Sequence, residues 1–407
     1  MARVNDNYKK LQAGYLFPEI ARRTREFQER NPGIELIKLG VGDTTQPLPP
    51  SVVDGLRRMI DDLADEKTYS GYGAEQGNPK LRKSLVEHYK KYGVFIESDE
   101  IFISDGAKSD TANIQSIFSP DAVIAVQDPV YPVYVDSAVI GGKTTDYKNG
   151  RYDGIVYMDC TEQNGFFPEV PKEKVDLIYL CSPNNPTGTV ATHAQLKTFV
   201  DYAKAHDAVI IFDAAYSDFI YDDSLPRSIY EIEGAETCAI EINSFSKNAG
   251  FTGVRLGWTI VPHKLCVEGS VPGEVQALWI RRQSTMFNGA SNIAQAGGIA
   301  VLSPAGQKES QKMVDYYMDN AKVIKKGLEE TGLVTFGGDN APYIWAKTPD
   351  GLDSWEFFDK LMNEAHVVGT PGAGFGSKGE GYFRLSAFGR KEDVKEAVDS
   401  IKRNLKV

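Results

Sequence analysis

The 407-residue sequence predicts an α/β protein, with a large domain built on a mostly parallel sheet flanked by helices and a smaller α+β domain after it. Three observations carry this reading. In the middle of the chain, short apolar runs are each followed by a Gly/Pro/Asn-rich loop and then a helix-like segment, the pattern of parallel strands with crossover helices. From about residue 290 the pattern changes to long amphipathic helices and then short strands. The composition, 42% apolar and 25% charged, is that of a packed globular protein and not of a disordered one.

The strand candidates, in order, are "EIFIS" (100–104), "AVIAVQ" (122–127), "DLIYLC" (176–181), "AVIIF" (208–212), "CAIEI" (238–242) and "GWTIV" (257–261). Polar residues follow each run, at the place where open α/β sheets bind their ligands. The later helices are "AGQKESQKMVDYYMDNAKVIKKGLEETG" and "SWEFFDKLMNEAH", with short strands around "VTFGG", "YIWAKT" and "YFRLSAF". The sequence shows no repeat and no low-complexity linker, so close packing is expected between an N-terminal segment (1–45) lying with the small domain, a large domain (46–289) and a small C-terminal domain (290–407).

The formal net charge of −11 argues against a nucleic-acid surface, which needs clustered Lys and Arg. Cys160, Cys181, Cys238 and Cys266 stand far apart, form no metal-binding spacing, and suit a reducing compartment. No metal is expected. No run approaches the roughly 20 apolar residues of a membrane span, and the N-terminus has no apolar signal core. A cytoplasmic location is expected, although a plastid protein trimmed of its leader would read the same way.

Several segments carry candidate chemistry. In "SDGAKSDTANI" (104–114) a glycine turn follows a strand and opens a helix, presenting backbone N–H groups and Lys108 to a phosphate; a plain tight turn is the simpler alternative. "QDPVYPVY" (127–134) sets Tyr131 in a proline-constrained loop, where its ring could stack on a flat ligand or merely pack. "CSPNNPTGT" (181–189) presents Asn184 and Asn185 on a rigid loop after a buried strand. "AVIIFDAAYSDF" (208–219) ends an apolar strand on Asp213, with Tyr216 three residues on. A buried carboxylate there is costly without a cation, which could be a structural salt-bridge partner or a protonated pyridine nitrogen. In "INSFSKNAGFTGVRLGW" (242–258), Ser244 and Ser246 precede Lys247, and a glycine-rich run leads to Arg255.

Taken in this order, these segments resemble the fold-type I pyridoxal-phosphate (PLP) aminotransferases, with the strongest matches at "SPNNPTG", "DAAYSDF" and "SFSKNAGFTGVRLGW". The resemblance covers nearly the whole chain. It implies the PLP-dependent transferase fold of type I, with pyridoxal 5′-phosphate as cofactor and amino acids and 2-oxo acids as substrates. Lys247 would be the covalent attachment point and Asp213 would hold the pyridinium. Asn185 and Tyr216 would bind the ring hydroxyl, and Tyr131 would stack on the ring. The phosphate would be held by Ala107, Lys108, Ser244 and Arg255, with Tyr72 reaching across from a second subunit; Ser246 either assists or is structural. The chemistry follows: Lys247 must spend part of the cycle neutral to move a proton, and the cofactor takes up the electrons.

"YFRLSAF" contributes Arg384, which resembles the arginine that binds the substrate α-carboxylate in two-point contact in this family. Discrimination must then come from the far end of the substrate. "TYSGYGAEQGNPKLRKSL" (68–85) places Glu75 three residues after Tyr72, and "MFNGASNIAQAGG" (286–298) places Asn288 near an expected subunit contact. A carboxylate there favours a substrate with a distal ammonium, whereas a second carboxylate would call for a cation. The segments "GYLFPEIARR", "LGVGDTTQPLP", "YGAEQG", "FTGVRLGW" and "FNGASNIAQAGG" sharpen the resemblance within the family. It implies that Tyr15, Gly42, Lys108, Asn185, Asn288 and Arg384 line the substrate site, with Asn288 also near the cofactor and Glu75 of the other subunit reading the distal amine. A homodimer follows from these shared residues. The rival readings are another class I aminotransferase (for aspartate, alanine or an aromatic amino acid), a β-lyase and an effector-binding module of a regulator. A nicotinamide dehydrogenase fails for want of a GxGxxG after the first strand.

Overall fold

The computed structural model describes residues 1–12 and 16–406, with the backbone alone for Phe17. Its centre is a seven-stranded sheet. In chain order the strands are β1 (Ile101–Ser104), β2 (Ile124–Asp128), β3 (Ile155–Asp159), β4 (Leu177–Cys181), β5 (Val209–Asp213), β6 (Ala239–Ser244) and β7 (Gly257–Ile260). They lie side by side as β1-β7-β6-β5-β4-β2-β3. β7 runs antiparallel to both of its neighbours, and the pairings from β6 across to β3 are parallel.

Burial explains why these runs read as continuously apolar. Every residue of β1, β2, β4, β5, β6 and β7 is buried, because both faces of the sheet are covered. Alternate residues serve opposite faces. Ile178, Ile210 and Phe212 pack with Leu196 and Phe199 of the helix His193–His206. Tyr179, Ile211 and Ile242 belong to a second cluster that continues into Tyr317 of the helix Pro304–Glu329 and into Tyr343 and Phe383 of another sheet. β3, at the sheet edge, is only partly buried, so its pattern "IVYMD" is mixed and does not stand out in the sequence.

The other sheet comprises β8 (Thr335–Gly337), β9 (Tyr343–Lys347), β10 (Thr370–Pro371) and β11 (Tyr382–Ser386), in the order β8-β9-β11-β10 and antiparallel throughout. It packs with the helices Pro304–Glu329 and Ser354–Ala365, and Lys391–Asn404 packs on both of these helices. Asp353 starts the second of these by accepting the N–H groups of Trp355 and Glu356, and Ser303 caps the first. From the N-terminal part, Ile37–Lys38 pairs in parallel with Val367–Val368, and Arg23 reaches Asp359 at 2.6 Å. Residues 6–10 lie instead against the helix Val133–Ile140. The helix Asn292–Val301 packs on Pro50–Ala64. No helix among the described residues is long and apolar enough to cross a membrane.

The parallel strands matter most for the site. β2, β4, β5 and β6 all end on the same edge of the sheet, and the residues just beyond them include Tyr131, Asn185, Tyr216 and Lys247.

Candidate active site

A cavity of about 390 Å³ opens at this edge, between the central sheet and the second one. Gly42, Ala107, Lys108, Tyr131, Asn185, Asp213, Tyr216, Ser244, Ser246, Lys247, Arg255 and Arg384 all line it. Segments more than three hundred residues apart in sequence are thus brought to one place by the strand order.

The cavity has a distinct chemistry at each wall. Asp213, the last residue of β5, is buried; its Oδ2 accepts the Tyr134 hydroxyl at 2.6 Å and its Oδ1 the Ala215 N–H at 3.1 Å. Burial raises its pKa, and those two hydrogen bonds oppose the rise. Among the described residues no cation pairs with it, so the partner expected for this carboxylate is not a side chain of the described chain. Tyr134 is itself fixed by stacking on Tyr179, with centroids 4.9 Å apart. Tyr131 stands edge-on to Tyr134, and the Lys108 ammonium lies 6.0 Å from its ring centre.

Lys247 follows β6 and donates from Nζ to the Gly42 carbonyl, with the Phe388 ring 5.3 Å away. Its pKa falls from 10.5 to about 8, mainly through burial, with Arg384 and Arg255 pushing the same way and Asp43 resisting. The amine still carries its proton for most of the time at neutral pH, but it gives that proton up far more readily than an ordinary lysine. Beside it, the Ser244 hydroxyl accepts the Ser246 N–H at 3.4 Å. Arg255 crowds the turn after β1: Gly106 there has φ +131°, and a Cβ on it would lie 2.4 Å from Arg255 Nη2. Only glycine leaves room for that guanidinium.

Arg384, on β11, is 2% exposed yet faces no carboxylate among the described residues. Its Nη1 donates to Asn185 Oδ1 and its Nη2 to the Gly40 carbonyl at 2.6 Å, while Nε is buried without a partner. The rings of Tyr343 and Phe375 flank it at 4.6 and 4.8 Å, and Tyr343 shares a 2.8 Å hydroxyl contact with Tyr216. Burial of a guanidinium lowers its pKa and is costly unless an anion comes to it.

The family described as "Aminotransferase class I and II" matches residues 34–401. The chain belongs to this family. Among solved structures, the LL-diaminopimelate aminotransferase from Chlamydomonas reinhardtii is 49% identical with a TM-score of 0.93, over 99% of this chain and 98% of that one. An aromatic aminotransferase from Pyrococcus horikoshii is 26% identical with a TM-score of 0.79, over 94% and 98%. The aspartate aminotransferase from Thermus thermophilus, 21% identical with a TM-score of 0.83 over 99% and 100%, shares the fold.

This aminotransferase is an enzyme dependent on pyridoxal 5′-phosphate, and the donor set fits that group. A buried carboxylate that no cation among the described residues pairs with, an amine of lowered pKa and a hydroxyl-and-guanidinium cluster stand in one cavity. They match a pyridinium, an aldehyde and a phosphate respectively.

Three of the sequence candidates are not at the cavity. Tyr72, Glu75 and Asn288 are exposed and sit near one another, since Asn292 Nδ2 donates to the Gly71 carbonyl at 2.9 Å and Gly289 approaches Glu75. Tyr15 lies outside the described residues. Conversely, the sequence reading passed over Tyr134, which holds Asp213, and Tyr343, which flanks Arg384. Both stood inside quoted segments, but a hydroxyl pointing back to a strand end leaves no periodic signal.

Proposed function

We propose that this aminotransferase moves an amino group between LL-2,6-diaminopimelate and 2-oxoglutarate, giving tetrahydrodipicolinate, water and glutamate, and that it runs in reverse during lysine biosynthesis. The observation that carries the proposal is the 49% identity to the Chlamydomonas enzyme over essentially both whole chains. The cavity supports it through Arg384, a buried guanidinium suited to an α-carboxylate.

In this reading Lys247 is the attachment lysine. Asp213 faces the pyridinium, Asn185 and Tyr216 the ring hydroxyl, and Tyr131 the ring face. Ala107, Lys108, Ser244 and Arg255 hold the phosphate, together with Tyr72 of the partner subunit, and Ser246 stands beside them. When bound, the cofactor supplies an electron sink for the pair left at the substrate's α-carbon. Lys247 Nζ, with its pKa near 8, takes the α-proton and returns it on the other side of the transfer. Tyr134 keeps the Asp213 carboxylate oriented. Arg384 holds the α-carboxylate, and Asn185 fixes the guanidinium plane.

Gly42, Lys108, Asn185 and Tyr15 complete the substrate site, with Asn288 and Glu75 contributed across a two-fold interface. The negative charge of Glu75 meets the distal ammonium. The reading includes a homodimer arranged as an N-terminal segment (1–45), a large domain (46–289) and a small domain (290–407). It also includes a cytoplasmic location, or a plastid one in a plant or alga. The test is direct: purified enzyme given LL-diaminopimelate and 2-oxoglutarate should form glutamate. Glutamate formed from aspartate, alanine or an aromatic amino acid, and not from LL-diaminopimelate, would overturn the substrate assignment.

A further inference from the structure

Asp128 closes β2 and is fully buried, three residues before Tyr131. Its carboxylate gathers donors from two separate segments. Arg151 reaches Oδ2 with Nη2 at 2.7 Å and Nε at 3.1 Å. From the loop before β11, Ser377 Oγ donates to Oδ2 at 2.7 Å and the Lys378 N–H to Oδ1 at 3.1 Å. Gly376 lets this loop approach: its φ is +135°, and a Cβ there would lie 2.1 Å from Asp128 Oδ1. Asp159 widens the cluster by pairing with Arg151 and, at 3.1 Å, with Lys378 Nζ.

The loop held in this way backs the active site from behind Arg384. The Val130 N–H donates to the Phe375 carbonyl at 2.8 Å, and the Phe375 ring lies against the Arg384 guanidinium at 4.8 Å. Tyr131, the neighbour of Val130, lines the cavity together with Arg384. A buried ion pair is weak evidence for stability, because desolvation offsets most of its attraction. What this one provides is geometry, since it ties the end of β2 to a loop about 250 residues further along the chain at hydrogen-bond distance.

We propose that Asp128 is a positioning residue for substrate binding: through Ser377, Lys378 and Phe375 it fixes the wall behind Arg384 relative to Tyr131, so that an α-carboxylate meets a guanidinium already oriented. The inference rests on the reading of Arg384 as the carboxylate site, and it holds for any amino-acid substrate of the family.

The test follows exchange of isotope label between glutamate and 2-oxoglutarate on the holoenzyme, comparing Asp128→Asn, Ser377→Ala and Arg384→Lys with the double variant Asp128→Asn/Arg384→Lys. Asp128→Asn should raise KM for both substrates about tenfold, leave kcat within about threefold and leave cofactor affinity unchanged. Ser377→Ala, which removes one contact and keeps the charge cluster, should show the same split at about two- to threefold, and it carries the test if Asp128→Asn does not fold. In the Arg384→Lys background, Asp128→Asn should add less than about twofold, because residues acting through one another are non-additive. An undiminished effect in that background, or a joint fall in kcat and cofactor affinity, would overturn the inference while leaving the role of Arg384 intact. An Arg384→Lys enzyme with unchanged KM would defeat the carboxylate reading itself, and this inference with it.

Discussion

Replacing Lys247 with methionine should make the cofactor-free protein more stable near pH 7, even though it removes the proposed attachment amine. Burial is the main cause that takes the amine from 10.5 to about 8. At about 1.4 kcal/mol per pH unit, holding the ammonium in the folded protein at neutral pH costs about 3 kcal/mol relative to the unfolded chain. Methionine keeps the length and apolar body of the side chain without the charge. It gives up the hydrogen bond to the Gly42 carbonyl and the contact with the Phe388 ring, together about 1 kcal/mol. The net gain expected is about 2 kcal/mol at pH 7.

The pH dependence fixes the sign. Between about pH 8 and 10.5 the unfolded chain holds a proton on this lysine that the folded chain has released, so the stability of the natural protein rises with pH across that window. The advantage of the variant is complete below about pH 8 and gone by about pH 10.5. Urea unfolding of both cofactor-free proteins at pH 7 and pH 10 measures it. A variant less stable at pH 7, or an advantage equal at both pH values, would refute the reasoning.

Borohydride treatment of the holoenzyme should fix the cofactor irreversibly on Lys247, as read by peptide mapping, and label on any other lysine would defeat the assignment; Lys247→Ala should still bind the cofactor noncovalently but lose essentially all turnover. Glu75→Gln should cost about 2–5 kcal/mol, roughly 30- to several-thousand-fold in kcat/KM, toward LL-diaminopimelate and much less toward glutamate, which lacks the distal amine. Half-reaction kinetics on one preparation give both values, and equal losses would make Glu75 a structural residue. The enzyme should be a dimer at assay concentration, and mixing Tyr72→Phe with Lys247→Ala subunits should restore activity in heterodimers that keep one intact site; an active monomer by sedimentation contradicts this.

Much of the site was legible because the chemistry sits at strand ends. Asp213, Lys247, Asn185 and Tyr131 each follow a fully buried run, and such runs announce themselves in sequence. β3 was missed because an edge strand is only partly buried, and β10 because two residues carry no period. Tyr134 and Tyr343 act through hydroxyl directions that only the packed structure fixes. The sequence pattern expected a cation for Asp213 without specifying which, and among the described residues the partners are a tyrosine hydroxyl and a backbone N–H. Gly106 illustrates the opposite case, a turn glycine whose reason is a close approach by Arg255, 149 positions later in the numbering. Tyr72, Glu75 and Asn288 stand apart from the cavity of their own chain, so the roles proposed for them require a second copy, which single-chain geometry does not report.

A competition experiment decides which substrate the enzyme prefers. The enzyme is supplied with 2-oxoglutarate and an equimolar mixture of LL-diaminopimelate, aspartate, alanine and phenylalanine, and the consumption of each is followed over the first turnovers. LL-diaminopimelate should be consumed at least about a hundredfold faster than any competitor, the discrimination expected from a desolvated charge pair at its distal amine. Preferential consumption of aspartate, alanine or phenylalanine would contradict it.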